Sequence, residues 1–122
     1  MNTALIMLGS NINPVENIET AMEKLTEHFE IVSISSVEIT QPVGAYYKNT
    51  FHNQALKILS VETADETKAI FKQIEIEMGR TPESKKNGDI PIDIDLIFWN
   101  KTLLHRDYER YDFVRRCVDE IR

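Results

Sequence analysis

The chain has 122 residues, of which 42% are apolar and 28% are charged, the proportions of a globular domain rather than of a disordered segment. Fourteen Lys and Arg residues face twenty Asp and Glu residues, and the net charge of −6 excludes a general nucleic-acid-binding protein, which needs a basic face. The single cysteine excludes an intrachain disulfide and no apolar stretch is long enough to cross a membrane, so we expect one cytoplasmic domain over residues 1–122.

The first two predicted elements are a buried strand and an amphipathic helix. Residues 4–8 form a continuous apolar run that ends at Gly9, as is typical of a strand entering a turn. Asn13 followed by Pro14 is a helix start signal, with Asn13 as the N-cap. The apolar residues that follow have helical spacing and predict one buried helix face: Val15, Ile18, Met22, Leu25 and Phe29.

The middle of the chain predicts two strands, a connecting loop and a second helix. Residues 30–39 are rich in Ile, Val and Ser and predict one long strand, and residues 51–61 predict another. Residues 40–50 between them contain Pro, Gly and two tyrosines without a period and predict a loop. Thr63 and Glu66 form a capping box that begins a helix, and Gly79 is placed to end it.

The last third of the chain predicts a mobile polar loop, a strand and a short tail. Residues 80–91 are polar and residues 90–99 alternate, with Ile92, Ile94, Leu96 and Phe98 on one face and Asp93, Asp95, Ile97 and Trp99 on the other. A short strand at residues 103–104 follows, and a short terminal helix is predicted by the apolar residues Phe113, Val114, Cys117 and Ile121. The order β-α-β-β-α-β predicts an α+β, ferredoxin-like sandwich in which both helices cover one face of an antiparallel sheet.

Asp93 and Asp95 are the sharpest candidates for a functional site. Residues two apart on a strand point the same way, with Cα atoms roughly 6.5 Å apart. Two carboxylates on one face repel each other and are costly to desolvate, and a divalent cation such as Mg²⁺ removes both problems. The alternative is a solvated polar face of an antiparallel strand, and the spacing alone does not decide between the two.

Two further groups of residues suggest ligand binding, each with a plain structural alternative. Arg80, Lys85 and Lys86 lie in the polar loop, where they could clamp a polyphosphate or simply be solvated. Phe51 and Asn53 are two apart on a predicted strand and could hold a flat heterocycle, or they could belong to an ordinary half-buried strand.

Taken together, these motifs resemble the 6-hydroxymethyl-7,8-dihydropterin pyrophosphokinase family. The matching residues follow the family's order over most of the chain: Leu8-Gly9-Ser10-Asn11, Thr40-x-Pro42-x-Gly44, Asn53, Gly79-Arg80 and Gly88-x-x-x-x-Asp93-x-Asp95-Leu96-Ile97. The resemblance implies transfer of a diphosphate from ATP to the hydroxymethyl group of a reduced pterin, a Mg²⁺-dependent step of folate biosynthesis that releases AMP. It also implies small-molecule substrates and a monomer or weak homodimer.

The resemblance further implies a role for individual residues. Asp93 and Asp95 would hold two Mg²⁺ ions and would act together with Arg80 in catalysis. The residues implied for ATP are Glu75, Arg80, Leu96, Arg106, Tyr111 and Arg116. The residues implied for the pterin are Thr40, Val43, Phe51 and Asn53.

The chain departs from the family pattern at several positions near the implied ATP site. Ile90 stands where the family usually has an arginine, Asn87 replaces an aromatic residue and Pro82 replaces a second arginine, while Glu109-Arg110 replaces a Pro-His pair. The loss of an arginine at position 90 predicts weakened ATP binding, since isoleucine makes no hydrogen bond to phosphate. Two alternatives stay open: a diverged homologue that binds pterin or nucleotide without efficient catalysis, and a ferredoxin-like module that assembles with other proteins.

Overall fold

The computed structural model describes residues 1–42 and 49–122, and an antiparallel sheet forms their centre. Its strands are β1 (Asn2–Ser10), β2 (Glu30–Ile34), β3 (Glu38–Thr40), β4 (Phe51–Ser60), β5 (Asp93–Trp99) and β6 (Thr102–Leu103). The helices of the described residues are α1 (Pro14–Thr26), α2 (Ala64–Glu77), α3 (Pro82–Lys86), α4 (Asp107–Arg110) and α5 (Asp112–Ile121). None of these helices is long and apolar enough to span a bilayer.

The order of the strands across the sheet is that of a ferredoxin-like fold. The strands follow the order β2-β4-β1-β5-β6, and β3 also pairs with β4. The central strand β1 runs antiparallel to both β4 and β5, and α1 and α2 are the two crossover connections. The α+β, ferredoxin-like βαββαβ fold predicted from the element order is therefore confirmed.

Helices cover both faces of the sheet, whereas the sequence predicted helices on one face. On the first face, α1 and α2 bury a core that includes Ile6, Leu25 and Phe71. On the opposite face, α5 buries a second core that includes Met7 and Val118. The terminal helix was predicted as a short tail, but its apolar side seals the second sheet face.

The ends of α2 follow the sequence signals closely. Thr63 Oγ1 accepts a hydrogen bond from the Glu66 backbone N–H at 3.2 Å, and Glu66 Oε1 accepts one from the Thr63 N–H at 3.1 Å, so the predicted capping box is confirmed. At the other end Gly79 has a φ of 97°, and the backbone N–H of Arg80 donates to the Glu75 carbonyl at 3.0 Å. This left-handed cap ends the helix and directs the chain at Arg80 back toward the sheet.

Two details predicted for α1 are wrong. Asn13 precedes the helix with a φ of 40°, but its side chain makes no capping hydrogen bond. Val15 is 66% exposed, and Ala21 lies in the buried face instead. The start at Pro14 is correct, because proline is well suited to the first helical position whether or not the residue before it caps the helix.

The strand predicted over residues 30–39 is divided into β2 and β3. Ser35 lies between them and is buried, with its Oγ accepting a hydrogen bond from the Ala55 N–H at 2.8 Å and its own N–H donating to the Ala55 carbonyl at 2.9 Å. This side-chain bond replaces regular pairing at that point, because a serine hydroxyl competes with the backbone ladder.

The segment predicted as a loop over residues 80–91 contains the short helix α3. Thr81 and Ser84 form a capping box at its start, with Pro82 at the first helical position. Proline in a polar stretch is typical of a loop, but at the first helical position it also favours a helical turn.

The alternation predicted for residues 90–99 holds as far as Ile97 and then shifts by one residue. Leu5 of β1 pairs with Phe98 and the adjacent Ile6 pairs with Leu96, so Ile97 is an extra residue in β5. Phe98 therefore joins the core under α5, while Trp99 packs against the core under α1 and α2. A β-bulge of this kind leaves no mark on hydrophobic periodicity.

Candidate active site

Two cavities meet at the start of β5. The first cavity, of about 250 Å³, is lined by residues that include Gly9, Thr40, Phe51, Asn53, Ile90 and Tyr111. The second cavity, of about 370 Å³, is lined by residues that include Lys68, Lys72, Glu75, Leu96, Leu104 and His105. Arg80, Asp93 and Asp95 line both cavities, so these three charged side chains stand at the junction.

The pairing register of the sheet explains why Asp93, Asp95 and Asn53 face the same cavity. Gly9 of β1 pairs with Asn53 on one side and with Asp93 on the other, which places the three residues in one row across the sheet. Adjacent strands are about 4.8 Å apart, so the Asn53 and Asp93 backbones are roughly 10 Å apart. Gly9 between them contributes no side chain, and a Cβ at that position would lie 3.5 Å from Asn53 Oδ1. The cavity floor is therefore open between an amide and a carboxylate.

The Asn53 side chain has a fixed orientation. Its Nδ2 group donates to the Glu38 carbonyl and to Thr40 Oγ1, each at 3.0 Å. Both amide hydrogens are thereby used, which leaves Oδ1 to accept a hydrogen bond from a ligand. Thr40 Oγ1 accepts from Asn53, so its own hydroxyl hydrogen is available to donate.

Arg80 lines the second cavity and contacts one of the two aspartates at the junction. Its Nη1 lies 2.6 Å from Asp93 Oδ1 and 3.1 Å from Glu75 Oε2. Glu75 is buried, and its Oε2 also accepts the backbone N–H of Ile94 at 2.8 Å. The guanidinium thus neutralises part of the acidic charge at the junction and holds Asp93 in place.

Among the described residues, no lysine or arginine forms an ion pair with Asp95. Burial raises its pKa to about 8, and the nearby carboxylates of Asp93, Asp107 and Glu75 act in the same direction. Burial likewise raises the pKa of Glu75, although the Ile94 N–H and Arg80 oppose it. In the part of the chain that the structure describes, acidic groups at the junction outnumber the one arginine that pairs with them, as is common at sites that bind a cation.

A histidine and a third aspartate lie next to Asp95. His105 Nε2 is 3.8 Å from Asp95 Oδ1, and His105 Nδ1 is 3.6 Å from Asp107 Oδ2. The Asp107 backbone N–H donates to His105 Nδ1 at 3.2 Å, which leaves the Nε2 side directed toward Asp95. Together with Asp93, these groups form an acidic pocket wall in which oxygen ligands predominate, the donor type that Mg²⁺ prefers.

The structure brings most of the predicted site residues to these cavities. Thr40, Phe51 and Asn53 line the first cavity, and Glu75 and Leu96 line the second. Tyr111 was expected beside ATP but lines the first cavity, where its ring stacks on that of Phe113 at 5.7 Å. Val43 lies outside the described residues.

Two arginines implied for ATP lie at neither cavity. Arg116 forms a bidentate pair with Glu38, with nitrogen-to-oxygen distances of 2.7 and 2.9 Å, and its side chain is 60% exposed. Arg106 is exposed immediately before α4 and does not line either cavity. Arg116 points away because α5, once packed on the sheet, presents that position to β3.

Position 90 lies in the first cavity and not beside the second. Ile90 is 4% exposed and is held by Asn11, whose Oδ1 accepts the Ile90 N–H at 2.6 Å and whose Nδ2 donates to the Gly88 carbonyl at 2.8 Å. The Asn11 N–H also donates to the Ile90 carbonyl at 3.0 Å. Isoleucine here is a packed residue in the wall of the first cavity, and the weakened ATP binding expected from the missing arginine stays a prediction.

Sequence reasoning missed several residues that line the cavities. Phe113 and Asp107 face the first cavity, while Lys68, Lys72 and His105 face the second. Phe113 was assigned to the apolar side of the terminal helix, and the lysines have the same spacing as a solvated helix face. No signal in the sequence separated them from ordinary surface residues.

Comparison with known proteins gives a consistent result. The family model described as 7,8-dihydro-6-hydroxymethylpterin-pyrophosphokinase matches residues 5–122. A 2-amino-4-hydroxy-6-hydroxymethyldihydropteridine pyrophosphokinase of Bacillus subtilis is 34% identical over 103 residues, which are 82% of this chain and 61% of the relative. The enzyme of the same name from Aquifex aeolicus is 33% identical over 105 residues, which are 85% of this chain and 65% of the relative.

Longer relatives and solved structures extend the comparison. A folate synthesis bifunctional protein of Arabidopsis thaliana is 29% identical over 99 residues, 80% of this chain but 20% of the relative. A crystal structure of Plasmodium falciparum HPPK-DHPS with pteroate superposes with a TM-score of 0.64 at 16% identity, over 98% of this chain and 35% of that one. The chain therefore spans less than two thirds of the length of these relatives, and the structural likeness concerns the fold.

Proposed function

Because the chain belongs to the 7,8-dihydro-6-hydroxymethylpterin-pyrophosphokinase family, we propose that it transfers a diphosphate group from ATP to the hydroxymethyl group of 6-hydroxymethyl-7,8-dihydropterin. The products are AMP and the pterin diphosphate, an intermediate of folate biosynthesis. We propose that the protein acts in the cytoplasm as a monomer or weak homodimer; one chain lines both cavities, so the site does not depend on a second copy.

The observation that carries the proposal is the junction of two differently built cavities at Asp93 and Asp95. A transferase for two small substrates needs two adjoining sites that meet where the group is transferred. The first cavity holds aromatic rings and the Asn53 amide, which suit a flat heterocycle. The second holds apolar and cationic residues, which suit a nucleotide.

The donor set at the junction fits Mg²⁺. Asp93 and Asp95 supply carboxylate oxygens on one face, and a bound cation would relieve the burial and the carboxylate repulsion that raise the pKa of Asp95. We propose that these two aspartates hold two Mg²⁺ ions together with ATP. When bound, such ions neutralise phosphate charge and polarise the phosphorus that is attacked.

In this proposal, the first cavity binds and orients the pterin. Asn53 Oδ1 accepts a hydrogen bond from a ring N–H, and the Thr40 hydroxyl donates to an acceptor on the same edge. The rings of Phe51, Tyr111 and Phe113 provide surfaces on which the heterocycle stacks. This arrangement directs the hydroxymethyl group toward the aspartates.

The second cavity binds ATP, with Glu75 and Leu96 among the residues that hold it. Transfer forms a bond between the hydroxymethyl oxygen and the β-phosphorus while the bond from that phosphorus to the bridging α,β-oxygen breaks. AMP leaves with the bridging oxygen, and the hydroxyl proton passes to water. Arg80 stands at the junction and contributes positive charge beside the transferred group. Positioning and charge neutralisation account for most of the catalysis in phosphoryl transfer, which fits cavities whose described lining residues include no serine or cysteine.

The test is an assay of AMP release by ³¹P NMR with ATP, Mg²⁺ and the reduced pterin. We expect turnover by the wild type and a loss of at least a hundredfold in Asp95→Asn, with Glu19→Gln on α1 as an exposed control. Tight binding of both substrates by a folded wild type without AMP release would favour the diverged binding protein instead. The assembly module has less support than the enzyme, since α5 packs on the part of the second sheet face that β1 and β4 form.

A further inference from the structure

Two lysines of α2 face the second cavity, and the function proposed above assigns neither of them to a particular part of the nucleotide. Lys68 and Lys72 are one helical turn apart, so their side chains leave the same edge of α2 about 6 Å apart along its axis. Arg80 follows beyond the end of the helix and lines the same cavity. Three cationic residues thus stand along one wall, in a row that leads to Asp93.

Within the part of the chain that the structure describes, neither lysine has a hydrogen-bonded or ion-paired partner. Lys24 contrasts with them, because its Nζ lies 3.4 Å from Glu77 Oε1. Lys72 acts electrostatically on Glu75, whose pKa burial raises and the Lys72 charge partly lowers. In a chain with a net charge of −6, two unengaged cations beside an open cavity provide a local site for an anion.

The arrangement of residues in the second cavity indicates which anionic group these lysines contact. Its apolar residues include Phe71, Leu96 and Leu104, which suit a nucleotide base, and its far end is the junction at Asp93. The transferred diphosphate must lie at that junction, next to the acceptor in the first cavity. The α-phosphate then lies on the second-cavity side, between the junction and the base.

We propose that Lys68 and Lys72 bind the 5′-phosphate of the nucleotide, the phosphate that stays with AMP. This inference rests on the proposed binding of ATP in the second cavity. Arg80 is bonded to Glu75 and Asp93 and so is held at the junction, beside the transferred group, while the lysines supply positive charge further along the second cavity. Because AMP retains this phosphate, the same lysines hold the product after transfer.

The test compares a Lys68→Gln/Lys72→Gln double variant with a charge-matched control, Lys24→Gln/Lys101→Gln, whose lysines line neither cavity. Each protein is titrated calorimetrically with AMP, with adenosine and with a non-hydrolysable ATP analogue plus Mg²⁺. We expect AMP affinity to fall about tenfold in the cavity variant, since exposed charge contacts are worth up to about fivefold each. Adenosine affinity should stay within about twofold, and the control should match the wild type.

A second measurement separates phosphate binding from support of the fold. Lys68→Arg/Lys72→Arg retains the charge and should recover most of the AMP affinity, and the slope of log Kd against log salt should be smaller in the glutamine variant. Unchanged AMP affinity in a folded glutamine variant would overturn the proposal, as would an equal loss for adenosine and AMP. A wild type that binds none of the three ligands would instead count against the proposed function.

Discussion

Asp95 destabilises the cation-free protein once it is charged. Burial raises its pKa to about 8 in the folded state, well above the usual range of an aspartate. A carboxyl group with a raised folded pKa contributes stability that is fully present in acid and is lost as the pH rises through that pKa. A divalent cation bound to the carboxylate reverses this cost.

We therefore predict that Asp95→Asn stabilises the protein in EDTA at pH 9 by about 2 kcal/mol relative to the wild type, with a clearly smaller gain at pH 5. Urea unfolding at the two pH values measures the difference. Addition of Mg²⁺ at pH 9 should raise the unfolding free energy of the wild type and leave that of the variant nearly unchanged. Equal gains at both pH values would show that the charge of Asp95 is not the cause.

Asn53 provides a residue-scale prediction for the first cavity. Asn53→Ala removes the Oδ1 acceptor and the two hydrogen bonds that orient the amide. We expect pterin affinity to fall by about ten- to a hundredfold, the equivalent of about 1.4 to 2.8 kcal/mol, because an unpaired ligand donor is left in the cavity.

Calorimetric titration with 6-hydroxymethylpterin checks this expectation, and the affinity for an ATP analogue should change less than about twofold. Gln54→Ala is a matched control, since this neighbouring amide donates to the Ser35 carbonyl at 2.7 Å and does not line the first cavity. A similar loss of pterin binding in both variants would point to disturbance of β4 instead.

At the residue scale, the sequence predicts which way a side chain points where side chains alternate along a strand. Asp93 and Asp95 had to share a face because they are two apart on a strand. Asp107 and Phe113 could not be placed beside them, since their positions depend on how α4 and α5 return across the sheet. The local sequence pattern contains no information on such long-range packing.

At the element scale, the end of α2 determines where Arg80 lies. Gly79 adopts a φ of 97°, and a Cβ at this position would have no neighbour within 4 Å. A larger residue would therefore be disfavoured by the backbone conformation and not by a steric clash. We predict that Gly79→Ala destabilises the protein by about 1–2 kcal/mol, whereas Gly79→Asn costs distinctly less, because asparagine enters the left-handed region more readily.

Chemical denaturation of the three proteins measures the cost of each substitution. Rearrangement of the cap should also reduce the affinity for an ATP analogue in Gly79→Ala, since Arg80 follows the glycine directly. Equal stability of the alanine and asparagine variants would contradict the conformational explanation.

Element boundaries were predicted well where side chains cap the backbone and poorly where the sheet becomes irregular. The capping box at Thr63 is a local signal, and so it could be recognised in the sequence. The division at Ser35 and the bulge at Ile97 depend on the partner strands β4 and β1. Neither partner can be identified from the residues of the irregular strand alone.

At the scale of the whole molecule, α5 has a structural and a functional role. It covers the sheet face that bears Asp93 and Asp95, and its residues Phe113 and Val114 line the first cavity. The order of the strands and helices along the chain was sufficient to predict the ferredoxin-like core. The position of the additional helix was not predictable, because a short amphipathic segment fits either face of a sheet.

Val118 of α5 tests the second core directly. It is fully buried, so Val118→Ala should destabilise the protein by about 2 kcal/mol through lost apolar burial and the remaining cavity. Val15→Ala, at a position that is 66% exposed on α1, makes the same chemical change and should alter stability by less than about 0.5 kcal/mol. Thermal and urea unfolding of both variants would show whether α5 is integral to the domain; equal effects would contradict it.

The contacts of Asn11 have a consequence for the protein during its synthesis. Asn11 stands at the end of β1, yet its partners Gly88 and Ile90 are 77 and 79 residues further along the chain. At about 5–20 residues per second, the ribosome takes roughly 4 to 15 s to deliver them. Throughout that interval the apolar β1 lacks its β5 neighbour, so the nascent chain exposes the edge on which the finished site is built.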